Sequence, residues 1–482
     1  MKSSTINGFK WVSIYSLLNI IINPLSILIL GLYLSQEQFG QKSILTIIVT
    51  LANTFGQFGI AQAIIQKEKV KKIELDSLFW IHICLGSIIC IFIFLSSNLI
   101  AGFYNDSTLV GLIKVASFIF LFEPVTMVFV AYLEKLMKFK SITIFNICRI
   151  VITNITMITL AILDFGASSF VYGQLLGVII YTFIVFIFFA KNKLWIPSFR
   201  FKLTELKSYY SFGIFVTGKN ILNIIGKDFD EIIIGKLMGM EVLGIYHFAK
   251  QLLEKIIMVI TSTVSKVTYP IYSSILKEDT NSVEFKKVYL SLTKIISFVG
   301  FPVFSLLFLL LPGIVDVIFG SEWDQAILIM QILSLKGVVD ILSAGFASSA
   351  LYSFNKPNWV FYVDLAITPL RILLITIASF QSLEIVACTF VISVLIKSVV
   401  LQNLVNRVST LRWKEYYDQI ILPFVFTIAL TITGYFLIDI YSVPYMLLYT
   451  GVYFVAYLSV NYLFNRKLFN EIKLEITRRK AA

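Results

Sequence analysis

Arg149, Lys219, Asn223, Lys227 and Lys255 stand in stretches otherwise hydrophobic enough to be membrane helix. A cation in that setting is costly unless it faces a protein-lined cavity or meets an anion, so the four cations are candidate anion ligands, with the Asn223 amide on the same face as Lys219 and Lys227. The richest stretch is Thr217 to Gly244, TGKNILNIIGKDFDEIIIGKLMGMEVLG. At the helical period Lys219, Asn223, Lys227 and Asp230 fall on one face, with an apolar face beside it. Arg149 shares its face with Asn146, Thr153 and Thr156, and no acid stands within one turn of it. His247, Gln251, Lys255, Ser262 and Lys266 form a further stripe on a later segment, with Lys255 near its middle. The other intramembrane cations have structural readings. Lys250 with Glu254 and Lys336 with Asp340 are spaced to neutralise one another one turn apart. Asp364 and Arg371 are read as a structural ion pair. Lys114 and Lys397 lie near segment ends, where they snorkel to the interface. Cations still outnumber acids in these helices, which suits an anionic ligand.

The elements that carry these residues must be membrane helices. The chain has 482 residues, 58% of them hydrophobic and only 14% charged, and a mean hydropathy of +0.87. That is far from soluble composition. Apolar runs of about 20 residues recur, long enough to cross a bilayer. The first is too long for a signal-peptide core and lacks a small-residue cleavage site, so it counts as a span. Spans are expected near 11–34, 43–65, 77–98, 109–132, 142–163, 168–190, 208–234, 243–272, 288–316, 326–352, 359–379, 384–405, 420–440 and 444–464. The fold class is therefore all-α integral membrane, with about fourteen transmembrane helices. Alternate connections hold about 27 Lys and Arg against about 2 in the intervening ones, which places both termini in the cytoplasm. The formal charge of +12 is thereby explained by topology, and nucleic acid drops out as a partner. The basic tail after Asn465 suits the anionic inner leaflet.

LGLYLSQEQFG (Leu30 to Gly40) and IGKLMGMEVLG (Ile234 to Gly244) align without a gap, matching Gly31 with Gly235, Glu37 with Glu241 and Gly40 with Gly244. An internal repeat follows, of the kind from which transporters are built. The longest cytoplasmic connection, KNKLWIPSFRFKLTELK, separates the halves. The expected organisation is a six-helix bundle at 1–190, a linker at 191–207, a second six-helix bundle at 208–405, and two further helices with a basic tail at 406–482. Ser16, Asn19, Asn23 and Ser26 share a face of the first span, and Thr46, Thr50, Asn53 and Gln57 one of the second. Both stripes fit interhelical hydrogen bonding or a sugar-lined vestibule. Pro24, Pro124 and Pro302 are compatible with helices that bend.

Cys84, Cys90, Cys148 and Cys388 form no metal-binding pattern, so no metal, cofactor or disulfide is expected. No phosphate-binding loop or nucleophile elbow is present, and the chain does not read as an enzyme. A membrane glycosyltransferase or polymerase would need a large or carboxylate-rich outer loop, and every outer connection is short. A channel would show a re-entrant filter motif.

LGLYLSQEQFGQKSIL followed by FGQFGIAQAIIQKEKV resembles the opening of polysaccharide exporters of the multidrug/oligosaccharidyl-lipid/polysaccharide superfamily. The turn is Glu37, Gln38, Phe39 and Gly40, and the later signature is Gly59, Ala63, Ile65 and Gln66. IAGFYND, DFDEIIIGKLMGMEVLGIYHFAKQL, YPIYSSI and FGSEW agree in order, with Gln36 in place of the usual turn proline. The nearest group is that of the lipopolysaccharide (O-antigen), colanic acid and teichuronic acid exporters. The resemblance implies a MATE-like fold of two six-helix bundles plus two helices. It implies a flippase in a bacterial cytoplasmic (inner) membrane, moving an oligosaccharide on undecaprenyl pyrophosphate by alternating access. Membrane lipids, polysaccharide polymerase machinery and a gradient of H+ or Na+ are the implied partners, with Glu123 or Asp364 as the titrating carboxylate. A small-molecule cation antiporter of the same superfamily is the alternative, and the surplus of basic residues argues against it.

Overall fold

A computed structural model describes residues 2–57, 64–65, 67, 70–202, 207–278, 282–437 and 442–464. Among them the regular structure is entirely helical, and nine stretches are long and apolar enough to cross a membrane. Contacts divide the chain into two compact units, Met1–Phe248 and Ala249–Ala482. The predicted boundary at 191–207 does not coincide with this division. Gly59, Ala63 and Gln66, and the basic tail after Asn465, lie outside the described residues.

The first unit holds α1 (Lys2–Gly31), α2 (Gln36–Gln57), α3 (Lys72–Tyr104), α4 (Leu109–Ser117), α5 (Ile119–Lys135), α6 (Phe139–Ile162), α7 (Ser168–Lys191), α8 (Lys207–Leu237) and the first turns of α9 (Met240–Glu278). α2 begins seven residues before the predicted 43 because a capping box starts it. The Ser35 N–H donates to Gln38 Oε1 at 3.0 Å, and the Gln38 N–H donates to Ser35 Oγ at 3.4 Å. The predicted span at 109–132 is broken at Phe118 into α4 and α5. There α5 crosses α3 closely: a Cβ on Gly86 would lie 2.3 Å from the Phe120 carbonyl oxygen.

The threonine stripe of α2 is satisfied within its own helix. The Oγ1 atoms of Thr46, Thr50 and Thr54 donate to the carbonyls one turn back at 2.7–2.9 Å. On α1, Asn23 donates to Asn19 and Ser16 to the Val12 carbonyl. The hydrogen bonds seen for these groups thus lie within their own helices.

Small residues let α6 and α7 approach closely, which is how helices associate where lipid removes the hydrophobic drive. A Cβ on Gly173 would meet Met157 Cγ at 2.2 Å and the Thr153 carbonyl oxygen at 3.0 Å. Gly173→Val is expected to destabilise the protein by about 1–3 kcal/mol, the usual cost of overpacking. Thermal unfolding in detergent checks this. Gly111→Val, where a Cβ would meet nothing within 4 Å, should stay near wild type.

The second unit holds the rest of α9, then α10 (Ser282–Phe319), α11 (Asp324–Leu342), α12 (Ser348–Ser353), α13 (Pro357–Ala378), α14 (Leu383–Ser409), α15 (Trp413–Leu437) and α16 (Val443–Phe464). A π turn at Ser343–Ala347 joins α11 to α12. Its core is aromatic. Tyr272, Phe285, Tyr289 and Phe346 are fully buried together, and Tyr289 donates to Gln402 Oε1 at 2.7 Å. The last helix, α16, packs on α10 through buried Tyr453 and Tyr457, whose hydroxyls meet Ser305 and the Phe298 carbonyl.

Candidate functional site: buried charge in each unit

Arg149 sits on α6 facing Glu123, which α5 presents immediately before Pro124. The guanidinium binds the carboxylate with both ends, Nη1 to Oε1 and Nη2 to Oε2, each at 2.9 Å. Its Cζ lies 5.3 Å from the centre of the Tyr181 ring, and the Tyr181 hydroxyl donates to Asn146 Oδ1 at 3.2 Å. The expectation that no acid accompanies Arg149 holds only along its own helix. Its partner comes from α5, a neighbour that helical spacing does not reveal. The Arg149 side chain keeps 34% of its exposure and Glu123 14%, so the pair is open on one side. A fork-shaped cation with remaining N–H donors can accept an oxyanion there without being stripped of its first partner.

Lys227 is exposed on α8, in the first unit, and Lys255 is half-buried on α9, in the second. The side chains of Lys219 and Asn223 lie outside the described residues.

The first unit also holds a buried polar knot. Tyr246 donates to Asp230 Oδ2 at 2.7 Å, His247 Nδ1 lies 2.9 Å from Glu231 Oε2, and Ser43 donates to the same Glu231 oxygen. Asp230 and Glu231 are 3% and 5% exposed, which in an apolar bundle requires such partners. Lys42, also buried, stands 5.2 Å and 5.0 Å from the centres of the Phe39 and Phe170 rings. The sequence pattern places His247 in the stripe with Lys255 and does not anticipate its part in this knot. The signal was available, since consecutive acids and consecutive Tyr-His lie at matching distances from the tight turn at Met238 and Gly239.

At this knot the two repeated corners touch. A Cβ on Gly40 would lie 2.0 Å from the Met240 carbonyl oxygen, and one on Gly244 1.6 Å from that of Gln36. The same chain interval separates Gln36 from Met240 and Gly40 from Gly244, so the contact is reciprocal, as a two-fold relation between repeats requires.

In the second unit, charges read from sequence as separate pairs converge. Lys250 of α9, Lys336 of α11 and Arg371 of α13 lie 5.9, 5.4 and 5.2 Å from the centre of one ring, Phe390 of α14. Lys336 Nζ is 3.5 Å from Glu254 and 3.3 Å from Asp340. Asp364 pairs with Lys397 of α14 rather than with Arg371. Lys114 stands over the Phe94 ring at 5.4 Å.

An all-helical chain with many apolar spans and charged side chains held inside its bundles is a multi-pass membrane protein of transporter type. Residues 10–328 match the family described as polysaccharide biosynthesis protein, and the chain belongs to that family. It is similar to the teichuronic acid biosynthesis protein TuaB of Bacillus subtilis (strain 168), 27% identical over 436 residues, covering 89% of this chain and 88% of TuaB. It is also similar to the lipopolysaccharide biosynthesis protein WzxC of Escherichia coli (strain K12), 25% identical over 339 residues, covering 70% and 68% of the two chains. In fold it resembles the lipid II flippase MurJ in an inward closed conformation, with a TM-score of 0.75 at 15% identity, covering 95% of this chain and 99% of MurJ. A MATE family multidrug resistance transporter in an inward-facing conformation gives a TM-score of 0.61 at 15% identity, covering 81% and 95%.

Proposed function

We propose that this protein is a flippase that carries an oligosaccharide linked to undecaprenyl pyrophosphate across the bacterial cytoplasmic membrane, for surface polysaccharide synthesis. The observation that carries this reading is the Arg149–Glu123 pair, a forked cation held open on one side within apolar helices. Membership of the polysaccharide biosynthesis family and the flippase-like fold support it. A pyrophosphate cannot enter hydrocarbon without compensating charge, whereas its lipid tail can stay in the bilayer. Alternating access supplies the route.

Arg149, Lys219, Asn223, Lys227 and Lys255 are the proposed contacts to the anionic headgroup. Coupling to H+ or Na+ at Glu123 or Asp364 belongs to the same proposal. Each carboxylate holds a cation, Arg149 or Lys397, that its protonation would release. The basic connections support a cytoplasmic position for both termini.

The test is reconstitution into vesicles with a fluorescent undecaprenyl-pyrophosphate oligosaccharide, read as protection from a membrane-impermeant quencher. The protein is expected to speed equilibration between leaflets. Lys227→Ala should slow it several-fold while inserting normally. Transport of a small organic cation instead, with no movement of the lipid, would replace this reading by the antiporter. An unchanged rate after the ion gradients are collapsed would remove the coupling alone.

A further inference from the structure

The connection after α7 begins as a strap fastened to α3, not as a slack tether. Trp195 is 3% exposed, packed against Phe79 and Phe129, and its Nε1 donates to Asp76 Oδ1 at 2.7 Å. The Ser198 N–H donates to the same oxygen at 3.1 Å, and the Ser198 hydroxyl to Asp76 Oδ2. Trp80 Nε1 donates to the Ser198 carbonyl at 2.8 Å, and the Lys202 N–H to Ser77 Oγ at 2.9 Å. One buried carboxylate and its neighbours thus fix the backbone of the strap through residue 202.

What the strap turns outward is both apolar and basic. Phe199 is 93% exposed although its ring stacks on Trp80 at 4.8 Å, and Ile196 and Phe201 are about half exposed. Lys191, Lys193, Arg200 and Lys202 are exposed among them, and no acid occurs from 191 to 202. The strap follows directly in the chain on α7, where Phe183, Phe186 and Ile187 are exposed on a helix apolar enough to span a membrane. Aromatic side chains mixed with cations at the end of a spanning helix suit the bilayer interface, with rings at headgroup depth and cations on lipid phosphates.

We infer that the strap from Lys191 to Lys202 is a docking surface for anionic phospholipid, which seats the first unit in the leaflet on the side of the basic connections. The partner is a lipid surface because the strap follows directly in the chain on a helix apolar enough to span a membrane, and an anionic one because Lys191, Lys193 and Arg200 are exposed in a stretch, 191–202, that contains no acid.

The full chain, with its four cysteines replaced by serine and Phe199→Cys carrying a nitroxide, is placed in nanodiscs of phosphatidylcholine alone or with added phosphatidylglycerol. Relaxation by oxygen is expected to exceed that by a water-soluble nickel chelate, with the excess growing at least twofold when phosphatidylglycerol is present. Lys193→Glu with Arg200→Glu should abolish that growth. Relaxation dominated by the nickel chelate in both discs, or equal accessibility with and without the anionic lipid, overturns the inference. So does a label shielded from both reagents, since another protein surface would then cover the patch. A Phe201→Cys label gives the same readout where the Phe199 variant is poorly folded. The measurement involves no transport, so its failure leaves the flippase proposal untouched.

Discussion

Gly244→Val is expected to cut lipid flipping by tenfold or more while the protein still inserts into the membrane. The atoms a side chain would meet are backbone: the Gln36 carbonyl oxygen at 1.6 Å, its carbon at 2.6 Å and the Gly40 nitrogen at 2.9 Å. No rotamer change relieves a clash with main chain, so the corner between α1 and α2 must move away from the one between α8 and α9. Overpacking of this sort costs about 1–3 kcal/mol, and about 3 kcal/mol shifts a two-state equilibrium by roughly a hundredfold. The same displacement would open the knot of Ser43, Glu231 and His247 that lies one turn away. Insertion should survive because the substitution leaves every span apolar. Gly40→Val, which meets the Met240 carbonyl oxygen at 2.0 Å, is expected to match it, as reciprocity between the repeats demands. Flipping measured beside Gly102→Val, a glycine with nothing within 4 Å, decides the matter. Equal rates for Gly244→Val and Gly102→Val would show that the corner contact is dispensable.

The match of Gly31, Glu37 and Gly40 with Gly235, Glu241 and Gly244 is legible in the sequence, and so is the helical character of the described parts of the spans. Apolar length alone decides that much in lipid. The capped start of α2 was equally visible in Ser35 and Gln38, but a hydropathy reading passes over polar residues and starts the span too late. What could not be read was which faces meet. Helical spacing says that Arg149 and Asn146 share a side, yet the rotation of α5 that brings Glu123 to them depends on packing at Gly86 and on the break at Phe118. Lys336 and Asp340 were rightly seen as one turn apart. That Lys250 and Arg371 share the Phe390 ring with Lys336 is a fact of four helices assembled, and no local period contains it. Polar residues in apolar helices announce that partners exist without naming them.

Arg149→Met is expected to lower both stability and flipping, and the two effects have separable causes. Removing the cation leaves the Glu123 carboxylate, 14% exposed, without its two-point partner. Breaking a buried ion pair from one side costs about 3–5 kcal/mol, and the partial exposure of Arg149 brings the expectation here to about 1–3 kcal/mol. The double variant Arg149→Met with Glu123→Met removes both charges, and replacing a whole ion pair by apolar groups of similar size is often neutral or stabilising. Its unfolding temperature should return to near that of the native chain. Flipping should not return if the guanidinium is there to receive the pyrophosphate, and a rate at least tenfold below native is expected. Arg149→Lys keeps the charge but loses the fork, and an intermediate rate is expected because one donor point replaces two. A double variant that regained stability and rate together would reduce the pair to a clasp between α5 and α6. The headgroup would then have to be met by other cations, and those gathered around Phe390 would be the next to replace.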